Sequence, residues 1–317
     1  MRSILRLAAL AAAALALTAN AQTFPSKPVR LVSGVTPGSV TDTMARVLAE
    51  KLPATLGQPV IVENRLGAGG LIGAASVARA DPDGHTISIY ASAFTVSTLL
   101  TPGLDPKELT PVATIATMPT VLVTSPDKGY KTLADLVAAG QAKPGQLVAT
   151  TAGVGSATHM HLERFRFAAG IEVLNVHMKG APEALTEVLT GRADFYFAPV
   201  FSVRSQIRDG KLVALGMGSP KRTSLMPDLP TTVELGYPKS DYNFWVGALV
   251  SSKTPRPVVE RLNREFDAAV QSPDVRDRLL KLGADPLTLS LPEFEAMIRQ
   301  ELEENAQLIK AAGIKAN

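Results

Sequence analysis

The chain is 317 residues long, with 32 lysines and arginines against 29 aspartates and glutamates and no cysteine. At roughly 100–200 residues per domain this length makes two domains with room for sizeable cores. The lack of cysteine excludes disulfides, thiolate metal sites and a cysteine nucleophile, and 19% charged with 5% aromatic residues argue against disorder, coiled coil and a stacking platform for single-stranded nucleic acid.

The first feature in chain order is a leader. Arg2 and Arg6 form a positive start, residues 7–17 are only Leu and Ala, and Ala19-Asn20-Ala21 supplies a small-x-small cleavage pattern. This predicts a signal peptide over 1–21 and a soluble protein exported to the periplasm. An apolar run of that length is shorter than the ~20 residues a membrane-spanning helix needs. Removing the two leader arginines from the 32 basic residues leaves 30 against 29 acidic ones, so no basic surface suggests a nucleic acid partner.

Beyond the leader, strands and helices alternate. Val29-Arg30-Leu31-Val32-Ser33 is a short strand, and Met44, Val47, Leu48, Leu52 and Leu56 then recur at helical spacing until Gly57. A strand at 59–62, a helix at 71–80 and a strand at 86–90 follow. Later strands are expected at 112–116, 120–124, 147–150, 173–176, 194–197, 212–217 and 244–250, and helices near 132–140, 157–168, 182–190 and 202–208. The pattern predicts an α/β protein with parallel sheets flanked by helices. In the last third, Val259, Leu262, Phe266 and Val270 mark one helical stripe and Phe294, Met297, Ile298 and Leu302 another.

A chain that runs through one α/β lobe, crosses to a second and returns would enclose a cleft. Ser125-Pro126-Asp127 is one candidate crossing, and the Pro- and Gly-rich stretch 227–241 leads to the other. The expected division is domain 1 over 22–124 with 243–317, and domain 2 over 125–242. Ligands of open α/β sheets bind at the carboxyl ends of strands, which points to the turns after Ser33 and Thr150.

Glycine-containing turns stand out at those places. Gly34 to Asp42 joins a strand to a helix and offers free amides and the positive end of a helix dipole; a plain tight turn capped by Ser39 or Thr41 is the structural alternative. Glu63 to Gly70 opens the next helix and nearly matches a dinucleotide fingerprint, but Ile72 stands where the third glycine belongs and Gly73 comes one late. Ala152-Gly153-Val154-Gly155-Ser156-Ala157-Thr158 mirrors the first turn, and His177-Met178-Lys179-Gly180 follows a later strand. No catalytic constellation accompanies them. His159 and His161 lie on different faces of a helix, where joint metal binding needs i,i+4 spacing. His85 reads as a turn residue. There is no G-x-S-x-G, H-E-x-x-H or P-loop, and Glu301, Glu303 and Glu304 are expected to face water. No cofactor, metal or catalytic residue is expected.

The ordered fragments Lys27-Pro28-Val29-Arg30-Leu31-Val32, Thr36-Pro37-Gly38 with Asp42 and Arg46, Leu56-Gly57-Gln58-Pro59-Val60-Ile61-Val62-Glu63-Asn64-Arg65 through Gly73, and Ala80-Asp81-Pro82-Asp83-Gly84 form a pattern. Gly155-Ser156 with His159, Lys179-Gly180, Gly210-Lys211-Leu212, Leu229-Pro230-Thr231-Thr232, Trp245 with Gly247, and Ala312-Gly313-Ile314 extend it to the C-terminus. With them the chain resembles the periplasmic solute receptors of tripartite tricarboxylate transporters, the Bug-type receptors. The resemblance implies a two-lobed periplasmic binding protein fold of type II that closes on a small organic carboxylate. It implies a monomeric receptor that delivers its ligand to membrane permease subunits. An exported enzyme acting on a carboxylate, or a sensor working through a signalling partner, is the alternative.

By position, the resemblance puts the first-lobe ligand site at Gly34, Val35, Thr36, Gly38, Ser39 and Asp42 with Ala68 and Gly69. It puts the second-lobe site at Thr151, Ala152, Gly155, Ser156 and Thr158, with Met178, Ala198 and Pro199 as further wall. Three positions depart from the family pattern: Val35 replaces an aromatic residue, Ser39 a glycine and Met178 a tyrosine. The expectation is a ligand bulkier or more apolar than a C4 dicarboxylate.

Overall fold

The computed structural model describes residues 24–315, so the leader expected at 1–21 lies outside the described residues. The strands are β1 (Val29–Ser33), β2 (Val60–Asn64), β3 (Thr86–Ala91), β4 (Leu109–Thr117), β5 (Thr120–Thr124), β6 (Leu147–Thr151), β7 (Val173–His177), β8 (Phe195–Pro199), β9 (Val213–Met217), β10 (Trp245–Ser251) and β11 (Asp285–Pro286). They form two sheets, with strand orders β11-β4-β10-β3-β1-β2 and β7-β6-β8-β5-β9. The helices are α1 (Val40–Lys51), α2 (Pro53–Leu56), α3 (Leu71–Ala78), α4 (Ala93–Leu100), α5 (Leu133–Ala142), α6 (Ala157–Ala169), α7 (Ala181–Leu189), α8 (Val200–Arg208), α9 (Arg256–Gln271), α10 (Pro273–Lys281) and α11 (Leu291–Ala312).

Local sequence explains most of these elements. In α1 the stripe Met44, Val47 and Leu48 is buried while Arg46 and Glu50 are exposed, and Ser39 caps the N-terminus by accepting from the Asp42 amide. Helix α11 begins with a capping box, Ser290 with Glu293. Helices α4 and α10 lie between predicted elements; each is short, and α4 reads as a β-branched apolar run that periodicity alone does not separate from a strand.

The sheets are mixed, where alternation predicted parallel ones. In the first, β1 pairs parallel with β2 and β3, but β10 runs antiparallel between β3 and β4. In the second, β6 is parallel to β7 and β8, while β5 is antiparallel to β8 and β9. Parallel pairing is imposed by a crossover helix. Strands β5 and β10 instead reach their sheets through the segments that join the two halves, so they arrive from the opposite direction.

Sheet membership also moves the first crossing. The expected boundary after residue 124 left strand 120–124 in the first half; β5 hydrogen-bonds into the second sheet. The chain thus leaves the first sheet at Met118-Pro119 and returns just before β10. The two passages lie side by side, with the Met118 amide donating to the Phe244 carbonyl at 2.7 Å.

Each sheet has its own core. Helix α11 ties the two together: Phe294 and Ile298 pack with Trp245, Leu249 and Tyr90 of the first half, and Leu308 and Ile309 pack on Val96 of α4, Ala157 and Met160 of α6, and Tyr242. Arg164 of α6 pairs with Glu304 of α11 at 2.8 Å.

Candidate functional site

Parallel pairing brings the turns after β1, β2 and β3 to one end of the first sheet, since Ser33 stands opposite Asn64 and Ile89. In the second sheet Thr151 stands opposite His177, and Thr150 opposite Tyr196. These are the carboxyl ends where α/β sheets hold ligands.

The first turn rests on backbone-to-backbone contact. A Cβ at Gly34 would stand 2.4 Å from the Cα of Gly70, so only glycine lets the first and second turns pack together. Gly73, one position late for a dinucleotide fingerprint, also serves this contact: its Cβ would lie 3.3 Å from the Gly34 Cα. The Tyr90 hydroxyl donates to the Gly69 carbonyl at 2.6 Å and props the second turn.

Asp42 lies beneath the first turn. It is fully buried, and its carboxylate accepts from the Gly38 amide (2.9 Å), Arg46 Nε (2.8 Å), Arg46 Nη2 (3.2 Å) and Asn64 Nδ2 (2.7 Å). Burial opposes its ionisation, but the bonds from Arg46, Asn64 and the Gly38 amide outweigh that and hold the carboxyl below its ordinary value. The same Asn64 Nδ2 donates to the Val35 carbonyl at 3.0 Å. Asp42 therefore organises the turn from below, where the resemblance had grouped it with ligand contacts.

The second-half turn is fastened from α6. Ser156 caps the helix by accepting from the His159 amide at 3.2 Å. The Ala152 amide donates to Thr158 Oγ1 at 2.9 Å, and the Gly155 amide to His159 Nδ1 at 3.0 Å. The Ser39, Ser156 and Met178 amides are bonded to the carbonyls of Thr36, Gly153 and Thr151. Several amides expected to be open are thus used by the protein itself. Among the described residues, the amides of Val35, Thr36, Ala68, Gly69, Gly153 and Val154 carry no such bond. In the first half these are residues the sequence pointed to, whereas in the second half the open donors, Gly153 and Val154, lie between the expected Ala152 and Gly155, whose amides are taken by Thr158 and His159. Ala198 is packed in the second core with Val121 and Val123, and the Pro199 carbonyl accepts from Ser202 Oγ at 2.7 Å.

Helix α4, absent from the sequence reading, lies against turns of both halves. A Cβ at Gly69 would be 3.4 Å from Ser97 Oγ, and one at Gly155, whose φ is +72°, would be 3.2 Å from Leu100 Cδ1. The turns expected from sequence are therefore linked in space: first to second through Gly34 and Gly70, second to third through α4. Sequence reasoning also missed two serine hydroxyls, Ser33 at the end of β1 and Ser92 after β3. Both are buried and without a hydrogen-bond partner among the described residues. Their signal was position alone, directly after a strand.

The histidines and the C-terminal glutamates take distinct roles. His161 is fully buried, stacked on Phe197 with its Nδ1 2.8 Å from Thr120 Oγ1. His85 accepts from the Ser26 amide at 3.1 Å, as a turn residue. Glu301, expected to face water, is buried and accepts from Trp245 Nε1 at 3.0 and 2.9 Å; burial pushes its carboxyl up to about 7. It lines a cavity of about 800 Å3 between α6, α11 and the return segment, walled also by Arg164, Phe167, Lys239 and Met297. None of the expected ligand residues lines it. Among the described residues no cluster of His, Asp or Glu could hold a metal ion, and no helix is long and apolar enough to cross a membrane.

Two α/β halves joined by paired crossings, with strand-end turns meeting about α4, define a two-lobed solute-binding protein. The tripartite tricarboxylate transporter family receptor model matches residues 44–314, and the chain belongs to that family. Protein BugT of Bordetella pertussis is 33% identical over 96% of this chain and 95% of its own. Among solved structures, the periplasmic binding protein BugD superposes with a TM-score of 0.73 at 31% identity, covering 93% of this chain and 100% of that one. Rpa4515 of R. palustris, solved with adipate, gives 0.76 at 28% identity over 92% and 99% of the two chains. MatC from Rhodopseudomonas palustris, solved with malate, gives 0.73 at 29% over 90% and 100%.

Proposed function

We propose that this chain is a periplasmic receptor, exported by a cleavable leader, that captures a small organic carboxylate between its lobes and delivers it to a tripartite-type membrane permease. The lobes are taken as 24–118 with 244–315, and 119–243, following sheet membership. The observation that carries the reading is the pair of strand–turn–helix N-termini, one from each sheet, that keep unbonded amides at Val35, Thr36, Gly153 and Val154. Such amides favour an anion, and the helix dipoles behind them add to the attraction. A ligand held by both lobes shifts the equilibrium toward closure, because neither lobe alone completes its donor set. The adipate and malate in the two relatives make carboxylates the first class to test. Val35 and Met178 stand where the family pattern has larger aromatic side chains, so longer or aromatic acids are read as preferred over C4 dicarboxylates.

Thermal-shift and calorimetric titration with succinate, malate, adipate and aromatic monocarboxylates tests this. A cognate acid at about a hundred times its Kd adds about 2.7 kcal/mol, a rise in Tm of about 5 °C. Adipate-sized or larger acids should give the greatest rise. Succinate ranking first overturns the size preference; no response from any acid overturns the receptor reading.

A further inference from the structure

We propose that His159 is a positioning residue for the second-lobe half of this site: its neutral imidazole, accepting the Gly155 amide, sets the turn that presents the Gly153 and Val154 amides to a bound carboxylate. This rests on reading that turn as ligand-binding. The geometry is reciprocal. Ser156, the N-cap of α6, accepts from the His159 amide at 3.2 Å, while the His159 ring reaches back to accept the Gly155 amide at 3.0 Å. It is a capping box with imidazole in place of the usual carboxylate, moved one residue upstream. Gly153 and Gly155 both have left-handed φ, +119° and +72°, so the turn has few restraints of its own and depends on these side chains.

An amide is only a donor, so Nδ1 must carry a lone pair and the ring proton must sit on Nε2. Nε2 lies 3.7 Å from Glu163 Oε1, one helical turn on, and Arg166 in turn holds Glu163 Oε2 at 2.5 Å. The ring meets that of His177 edge-on with centroids 4.5 Å apart, and His177 Nδ1 lies 2.7 Å from Thr151 Oγ1. Thr151 and Gly155, the two ends of the turn, are thus both tied to imidazoles. A cavity of about 650 Å3 lined by Val154, His159 and His177 also has Glu172 of the loop before β7 and Lys315 of the C-terminal segment in its wall. His159 is 4% exposed; burial first, then His177 and Arg166, push its proton affinity down to about 4. Protonation would set an N–H against the Gly155 N–H and break the turn's anchor.

Two substitutions separate the acceptor from mere packing. His159→Asn places Oδ1 where Nδ1 was, keeping an acceptor at smaller volume; His159→Phe keeps a ring and loses the acceptor. With malate and adipate as calorimetric probes at pH 7, His159→Asn should bind within about threefold of the parent, and His159→Phe about tenfold or more weaker. Parent affinity should also fall between pH 6 and pH 4 more than that of His159→Asn. Equal binding by His159→Phe, or better binding by Phe than Asn, overturns the proposal. Nitrogen-15 spectra of the unliganded parent, which need no variant to fold, should find His159 neutral with its proton on Nε2; a proton on Nδ1 overturns it. If no acid binds the parent, the receptor reading fails, and this inference is decided by those spectra and the Gly155 amide. Slow Gly155 exchange in the parent and His159→Asn, lost in His159→Phe, supports it; fast exchange in the parent overturns it.

Discussion

Gly34 and Asp42 make the first turn possible in different ways. At Gly34 the constraint is space, because an added methyl would fall 2.4 Å from the Gly70 Cα and backbone has no rotamer to yield. Gly34→Ala should therefore destabilise the protein by about 1–3 kcal/mol in urea denaturation and abolish the carboxylate-induced thermal shift. At Asp42 the constraint is charge. Its carboxylate satisfies three donor groups from a buried position, but Arg46 is half-exposed, so the loss on Asp42→Asn is smaller than for a fully buried pair, about 2 kcal/mol. Because the folded carboxyl lies below its ordinary value, this contribution is present above about pH 4 and fades as pH falls further; urea midpoints of parent and Asp42→Asn should converge toward pH 3. The Thr-Pro-Gly run and Asp42 were legible in the sequence as a turn and a nearby acid. That the acid lies beneath the turn depends on Asn64, 22 positions away, and no local pattern carries that.

Helix α11 shows the same division at the scale of an element. Its apolar stripe, capping box and end at Gly313 follow from local sequence. Yet Glu301, seven positions from Phe294 and three from Ile298, shares the buried stripe, and its partner, the Trp245 indole 56 positions away, is something spacing along the helix does not give. Its folded carboxyl is raised to about 7 from an ordinary 4.5, so the folded state holds a proton that the unfolded chain releases. The sign is then opposite to Asp42: stability is fullest below about pH 4.5 and falls as pH rises to 7. Glu301→Gln, which keeps an acceptor for the Trp245 indole and cannot ionise, should stabilise at pH 8 by about 3 kcal/mol and have little effect at pH 4.5. Thermal melts at the two pH values check this; equal effects at both would show that ionisation is not the burden.

For the whole molecule, the consequence of α11 is mechanical coupling. Its first half packs on the first lobe's core, while Leu308 and Ile309 join a cluster made from α4, α6 and Tyr242. The double substitution Leu308→Ser with Ile309→Ser removes apolar contact at the lobe junction and leaves both cores intact. Scanning calorimetry should show one transition for the parent and two for the variant, because each lobe keeps its own hydrophobic core and loses its tie to the other. One sharp transition at lower temperature would instead mean that the paired crossings suffice to couple the lobes.

The sequence by itself determined the α/β class, nearly every strand and helix, the glycine turns at strand ends and the family, since each is written in residues close together along the chain. Tertiary structure decided the rest: that β5 joins the second sheet, that β5 and β10 run antiparallel, that α4 meets turns of both halves, and which amides stay open. The physical reason is that hydrogen-bond partners are assigned by position in space. Once Thr158, His159 and Asp42 have claimed the amides of Ala152, Gly155 and Gly38, only those left over can receive a guest.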